Sequence, residues 1–290
     1  MSDDRGRVAA RLTRLSFRDG ARAAELLSAT PLSWWDPETN QPADDAAAVV
    51  VAALGRCADP DAALQTLADL IAAPEGARLR DALESQSVLR ARLLAVLGVS
   101  SELSTHLRFH PREWEVLLGE LDNEGVPVRL AAAVGADAAR PVTGTCGARA
   151  TVTGPAAVVA LRDAYRRELL AIAGRDLVGD LDLRLVTELL ADLAGHTLQA
   201  ALAVAAAGLR EDAAPCRLAI VAMGKTGSRE LNYVSDVDVV FVGEANSDIA
   251  GDDDGTTTAA LATATRLAGE TMRICHAAAW EVDANLRPEG

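Results

Sequence analysis

Along the first two thirds of the chain, apolar side chains recur every three or four positions, the spacing of one face of an α-helix, and clusters of Gly, Pro and Asp punctuate the pattern. Val8, Leu12, Leu15, Ala23, Leu26 and Leu27 predict a helix from Arg5 to Ala29, ended by Pro31 and the Trp-Trp-Asp-Pro turn. Asp59 followed by Pro60 predicts an N-cap and a first helical residue, opening a helix to about Ala73. Pro74 restarts a helix that runs to Leu97 and is stopped by Gly98. A short helix follows, broken at His110-Pro111, and Arg112 to Leu121 supplies one more. Pro141 to Pro155 reads as a loop or hinge, and two longer helices are predicted over Ala156–Ala173 and Leu181–Ala207.

Near Pro215 the period changes. Arg217 to Met223 and Val237 to Val242 are short, continuous apolar runs of strand length, with a Gly-rich turn between them. The polar, acidic stretch 243–255 reads as a loop, Thr256 to Ala279 as a helix, and Trp280 to Leu286 alternates like a third strand. The expected fold class is α+β, mainly α. It divides into an N-terminal helical region over 1–140, a hinge with two longer helices over 141–212, and a small α/β unit over 213–290.

Composition narrows the function. Half of the 290 residues are apolar but only 3% are aromatic, so the core is built from Ala, Leu and Val, which favour helices. The net charge of −14 repels phosphate backbones and argues against nucleic acid as a partner. The longest uncharged apolar run, Leu198 to Leu209, is too short to span a membrane, and no basic start followed by an apolar stretch marks a secretory signal. Cys57, Cys146, Cys216 and Cys275 form no CxxC pair and fit reduced thiols in the cytoplasm. Cys275 and His276 point to different sides of a helix, which argues against a catalytic pair. Lys225 is the only lysine; every other basic residue is Arg.

That lysine lies in the segment that carries the chemistry, Met223 to Val242. Gly224 and Gly227 allow a tight turn, and Lys225 with the Thr226 and Ser228 hydroxyls offers donors for a phosphate chain. A P-loop is disfavoured, because Ala219 stands where its first glycine is required and a strand with two carboxylates follows in place of a long helix. On that strand Asp236 and Asp238 project to one face, while Val237, Val239 and Phe241 enter the core. Two close carboxylates are favourable around a divalent cation, and Mg²⁺ suits carboxylate oxygens together with substrate phosphates. An isolated Asp-x-Asp on an exposed strand is a solvated edge; the preceding strand, Gly-rich turn and Ser235 favour a site.

Strand, Gly-rich turn and Ser-Asp-x-Asp strand in that order resemble the polymerase β-type nucleotidyltransferase superfamily. The fuller string Gly-Lys-Thr-Gly-Ser-Arg-Glu-Leu-Asn-Tyr-Val-Ser-Asp-Val-Asp resembles the glutamine synthetase adenylyltransferase/adenylyl-removing family, matched at Met223, Gly224, Lys225, Gly227, Glu230, Leu231, Asn232, Ser235, Asp236 and Asp238. A later segment is matched by Val282, Asp283, Leu286, Arg287, Pro288 and Gly290, and weaker similarity extends upstream to about residue 97. The resemblance implies a nucleotidyltransferase palm with two Mg²⁺ ions on Asp236, Asp238 and Asp283. Phosphate and nucleotide would be held by Gly224, Lys225, Thr226, Gly227, Ser228, Ser235 and Arg287. Ala284 and Asn285 depart from the pattern of many relatives.

Family members carry two such units, so the chain reads as an N-terminal fragment whose palm is incomplete at its C-terminal end, with little activity alone. The N-terminal unit of the family implies phosphorolytic removal of AMP from a tyrosine of glutamine synthetase, with release of ADP. The forward transfer of AMP from ATP uses the same machinery, and a non-catalytic nucleotide-binding module is the alternative from another class. A PII signal protein is a partner by resemblance alone. Arg166, Arg167, Glu168, Arg175 and Asp176 read as helix-surface ion pairs or as substrate-orienting groups. Trp34 and Trp35 read as packing on the first helix in preference to a docking patch, and Asp252 to Asp254 as a solvated loop.

Overall fold

A computed structural model describes residues 10–246 and 254–284. The chain is α+β and mainly α, as the sequence predicts. It divides into two compact units, one of Met1–Glu120 with Leu170–Leu181, the other of Leu121–Leu169 with Asp182–Gly290.

In the first unit, helices α1 (Gly20–Ser28), α2 (Asp45–Leu54), α3 (Pro60–Ala72), α4 (Gly76–Ser85), α5 (Ser87–Val99) and α6 (Ser101–Phe109) precede a 3₁₀ turn at Glu113–Leu117. A two-stranded ribbon, β1 (Trp35–Asp36) with β2 (Gln41–Pro42), separates α1 from α2. Side-chain caps define several starts: Asp19, Asp44, Asp59 and Ser100 accept the backbone N–H groups of Arg22, Ala47, Ala62 and Leu103.

The helix expected over Arg5–Ala29 is broken, since Ser16 takes a left-handed φ of 72° and Asp19 begins a new helix. The helix expected from Pro74 to Leu97 is two, divided at the extended Gln86. Gly98 does not stop it. It lies inside α5, where a Cβ would sit 2.9 Å from Cys57 Cβ, so this glycine serves close packing. Arg112–Leu121 contracts to the 3₁₀ turn, and α2 arises from an Ala/Val run with no sharp periodicity in the sequence. Trp34 and Trp35 are buried, and the Trp34 indole N–H donates to Glu84 at 2.7 Å, which rules out a docking patch.

In the second unit stand α7 (Val126–Ala133), the start of α8 (Gly154–Asp176), α9 (Leu183–Ala207), β3 (Cys216–Ala222), a helical turn (Gly224–Gly227), β4 (Val237–Ala245), α10 (Asp254–Ala278) and β5 (Val282–Asp283). α9 corrects one expectation: by length and composition it could cross a membrane. Its charges, Arg184, Glu188 and Asp192, gather near its start, and 78% of its apolar window is buried inside the protein. Glu168 and Arg175 correct another, for neither is a surface ion pair. Glu168 is 5% exposed and accepts two bonds from the Arg129 guanidinium at 2.7 and 2.9 Å. Arg175 is 3% exposed and donates to the carbonyls of Ala171, Val116 and Gly119.

The three strands form one sheet in the order β3-β4-β5. β3 and β4 run antiparallel, from Cys216 opposite Ala245 to Ala222 opposite Val239; β4 and β5 run parallel, with α10 as the crossover. Ala260, Ala264, Leu267, Ala268, Thr271, Ile274, Cys275 and Ala278 make the buried stripe of α10. This helix packs on β3 and β4, and Gly243 allows the contact: a Cβ there would lie 2.8 Å from Ala264 Cβ.

Candidate active site

The sheet is covered on one face and open on the other. On β4, Val237 and Val239 are buried, whereas Asp238 and Val240 are half-buried and Val242 is exposed, as the two-residue period of a strand requires. Phe241, expected in the core, is only half-buried.

The parallel register sets Asp238 opposite Asp283 and Val237 opposite Val282, so the two carboxylates share one face of adjacent strands. Asp236 lies exposed just before β4, two residues from Asp238, and Ser235 beside it is half-buried. Asp236, Asp238 and Asp283 are not among the described residues that stand close enough to share a metal ion.

The turn after β3 closes against this pair. Met223 N–H donates to the Asp238 carbonyl at 2.9 Å, extending the ladder by one bond before the chain turns. Gly224 then adopts φ +49°, and a Cβ on it would lie 2.3 Å from Asp238 Oδ2. Both the conformation and the contact require glycine. Gly227 packs as closely on the Ala222 carbonyl, 2.6 Å from where its Cβ would be.

The donors expected on this turn divide. Lys225 is exposed, so its ammonium is presented to solvent. Ser228 is exposed, and its hydroxyl lies 3.2 Å from a Glu230 carboxylate oxygen. Thr226 faces inward at 5% exposure, and its hydroxyl has no hydrogen-bond partner. Arg287 lies outside the described residues, as do Leu286, Pro288 and Gly290 of the second motif and Asp252 and Asp253 of the acidic run. Cys275 is buried and its thiol is pushed up to about 12 by burial, while His276 is exposed, which leaves no thiolate nucleophile at this helix end.

One contact here escaped the sequence. Arg229 leaves the turn at φ +61° and its guanidinium donates to Asp192 on α9 at 2.7 Å. The two lie 37 residues apart, and no spacing rule connects them.

The donor set suits a hard divalent cation. Asp238 and Asp283 share the open sheet face, Asp236 lies two residues before Asp238, and the glycine turn keeps side-chain bulk away from Asp238. In position they could hold such ions, with Lys225 on the adjoining turn available to a phosphate group.

Comparisons with known proteins take in this segment as part of a longer match. Residues 90–290 match the family described as glutamate-ammonia ligase adenylyltransferase. A bifunctional glutamine synthetase adenylyltransferase/adenylyl-removing enzyme of Streptomyces avermitilis is 43% identical over 290 residues, covering 97% of this chain and 26% of that protein. The protein of the same description from Streptomyces coelicolor is 43% identical over 289 residues, with 97% and 26% covered. That of Mycobacterium avium is 39% identical over 277 residues, with 93% and 25% covered. The chain thus spans about a quarter of the length of the curated relatives it matches. With a family match that takes in α9, the glycine turn, Asp236 and the strands bearing Asp238 and Asp283, the chain belongs to the glutamate-ammonia ligase adenylyltransferase family.

Proposed function

We propose that the unit formed by β3, the glycine turn, β4, α10 and β5 is a nucleotidyltransferase palm that removes AMP from an adenylylated tyrosine of glutamine synthetase. The observation that carries this is the register of Asp238 opposite Asp283, with the Gly224 backbone held against the Asp238 carboxylate. An oxygen of inorganic phosphate attacks the phosphorus of the adenylyl group, the bond from phosphorus to the tyrosyl oxygen breaks, and ADP leaves. The tyrosyl oxygen departs with the electron pair and takes a proton from water.

Asp236, Asp238 and Asp283 would hold two Mg²⁺ ions, which when bound neutralise charge developing on the attacking and leaving oxygens. The carboxylates must close further than they stand in this structure to share ions. Asp236 is exposed and precedes the strand, so it can move without breaking the ladder. Lys225 supplies a compact positive charge to the phosphate groups, with Ser228, Ser235 and Arg287 as further contacts and Gly224 and Gly227 permitting close approach. Thr226, buried in this structure, would act from beneath the turn. Four free thiols suit a reducing compartment, and we assign the activity to the cytoplasm.

The test is Mg²⁺- and phosphate-dependent release of ADP from adenylylated glutamine synthetase. Asp236→Asn is expected to lower the rate at least about 100-fold. Release of ADP that persists undiminished in Asp236→Asn and Asp238→Asn would refute the assignment. Transfer of AMP from ATP without removal would reverse its direction.

A further inference from the structure

We propose that the ion pair between Arg229 and Asp192 is a latch that positions the glycine turn for phosphate; the proposal rests on the palm reading above. The turn ends in a helix-terminating motif in which Glu230 N–H donates to the Lys225 carbonyl at 2.8 Å and Arg229 N–H to the Thr226 carbonyl at 3.3 Å. The residue between the turn and Glu230 must then be left-handed, a place usually held by glycine because a side chain crowds its own backbone there. Here it is Arg229, at φ +61°. An arginine at that position runs against local preference. What it gains is visible in the structure: its guanidinium reaches back to Asp192 at 2.7 Å.

The partner is well chosen for holding a turn still. Asp192 lies in the interior of α9, a helix of 25 residues whose apolar window is mostly buried, and its side chain is 27% exposed. α9 also packs directly on the Gly224–Gly227 turn, where Thr226 is buried. The turn is thus fixed at both ends: at its entrance by Gly224 against Asp238, and at its exit by Arg229 on Asp192. Between these anchors stands Lys225 with its charge exposed. Freeing the exit leaves the carboxylates in place but lets the lysine wander relative to them. Neither Arg229 nor Asp192 needs to touch substrate. Both are positioning residues.

Asp192→Asn removes the latch with the backbone of the turn unchanged, and Arg229→Gly removes it at a left-handed position that glycine fits. The thermal midpoint of Arg229→Gly is expected to equal or exceed that of the parent. Hydrogen exchange of the amides of residues 224–230, followed in the protein free of metal and nucleotide, is expected to speed about fivefold, as is fitting for a partly exposed ion pair. In the ADP-release assay the KM for phosphate rises about fivefold with kcat within twofold. Arg229→Lys retains the pair and should restore most of both effects, and Asp192→Asn should reproduce the glycine variant. Unchanged exchange in Arg229→Gly and Asp192→Asn would overturn the latch whatever the activity. If the parent releases no ADP, the palm reading fails while the exchange result still decides whether the turn is latched.

Discussion

Gly224 meets Asp238 so closely that a Cβ on the glycine would come within 2.3 Å of the carboxylate Oδ2. The backbone of the turn and the central carboxylate of the sheet are therefore one packing unit, and whatever binds the carboxylate also meets the turn. Gly224→Ala forces a side chain into that contact and onto a left-handed φ of 49°. It is expected to abolish ADP release, with a loss of at least about 100-fold, and to destabilise the protein by about 1–2 kcal/mol. Chemical denaturation beside the activity assay separates the two effects, and wild-type turnover in Gly224→Ala would show that the contact is dispensable.

Arg129 and Glu168 form a second close relationship, in which a carboxylate at 5% exposure takes two bonds from one guanidinium and a longer one, at 3.3 Å, from Arg167. Glu168 and Asp122 together raise the Arg129 pKa, so the cation persists at every working pH. Removing Arg129 leaves a buried carboxylate with only the longer contact to Arg167. Arg129→Ala should therefore destabilise the protein by about 3 kcal/mol, and the double variant Arg129→Leu, Glu168→Leu by much less. Urea midpoints measure both, and equal losses in the two variants would show that the bulk of the side chains matters and the charge does not.

His196 on α9 has its imidazole pKa lowered by burial, partly offset by the Asp192 carboxylate, and its Nδ1 is buried without a hydrogen-bond partner. The sign follows from which state takes the proton. Below about pH 6.5 the unfolded chain protonates this histidine while the folded chain resists, so stability falls as pH drops through that value and is full above it. The thermal midpoint should decline between pH 7.5 and 5.5, and His196→Gln should flatten that decline. A midpoint whose pH dependence is the same in both proteins would show that other groups carry it.

Gly243 and Ala264 set the distance between β4 and α10, since a Cβ at 243 would stand 2.8 Å from that of Ala264. Gly243→Val should push the helix from the sheet at a cost of about 1–3 kcal/mol. Because α10 is the crossover that delivers β5, the Asp283 register should loosen with it. Loss of stability with turnover intact would show that the displacement stays local.

The sequence by itself determined the elements whose signals are local. Asp59-Pro60 opens α3 because an N-cap and a fixed φ act within one turn, and the apolar runs 217–223 and 237–242 form strands where the helical period ends. It also singled out the carboxylates and the glycine turn as candidates, because the chemistry proposed for them needs particular residue types at fixed spacing. It missed what depends on partners distant in the chain. Gly98 reads locally as a stop, but Cys57 makes it a packing glycine within α5, and α9 carries an apolar stretch long enough for a bilayer yet buries it against its own protein. Whether Thr226 faces phosphate or the core, and whether Arg229 is strained or anchored, turns on α9 lying under the turn. The parallel pairing of Asp238 with Asp283 likewise exists only once α10 has carried the chain back across the sheet, because the register of strands joined by a crossover helix is set by packing between elements and not by the residues along either one.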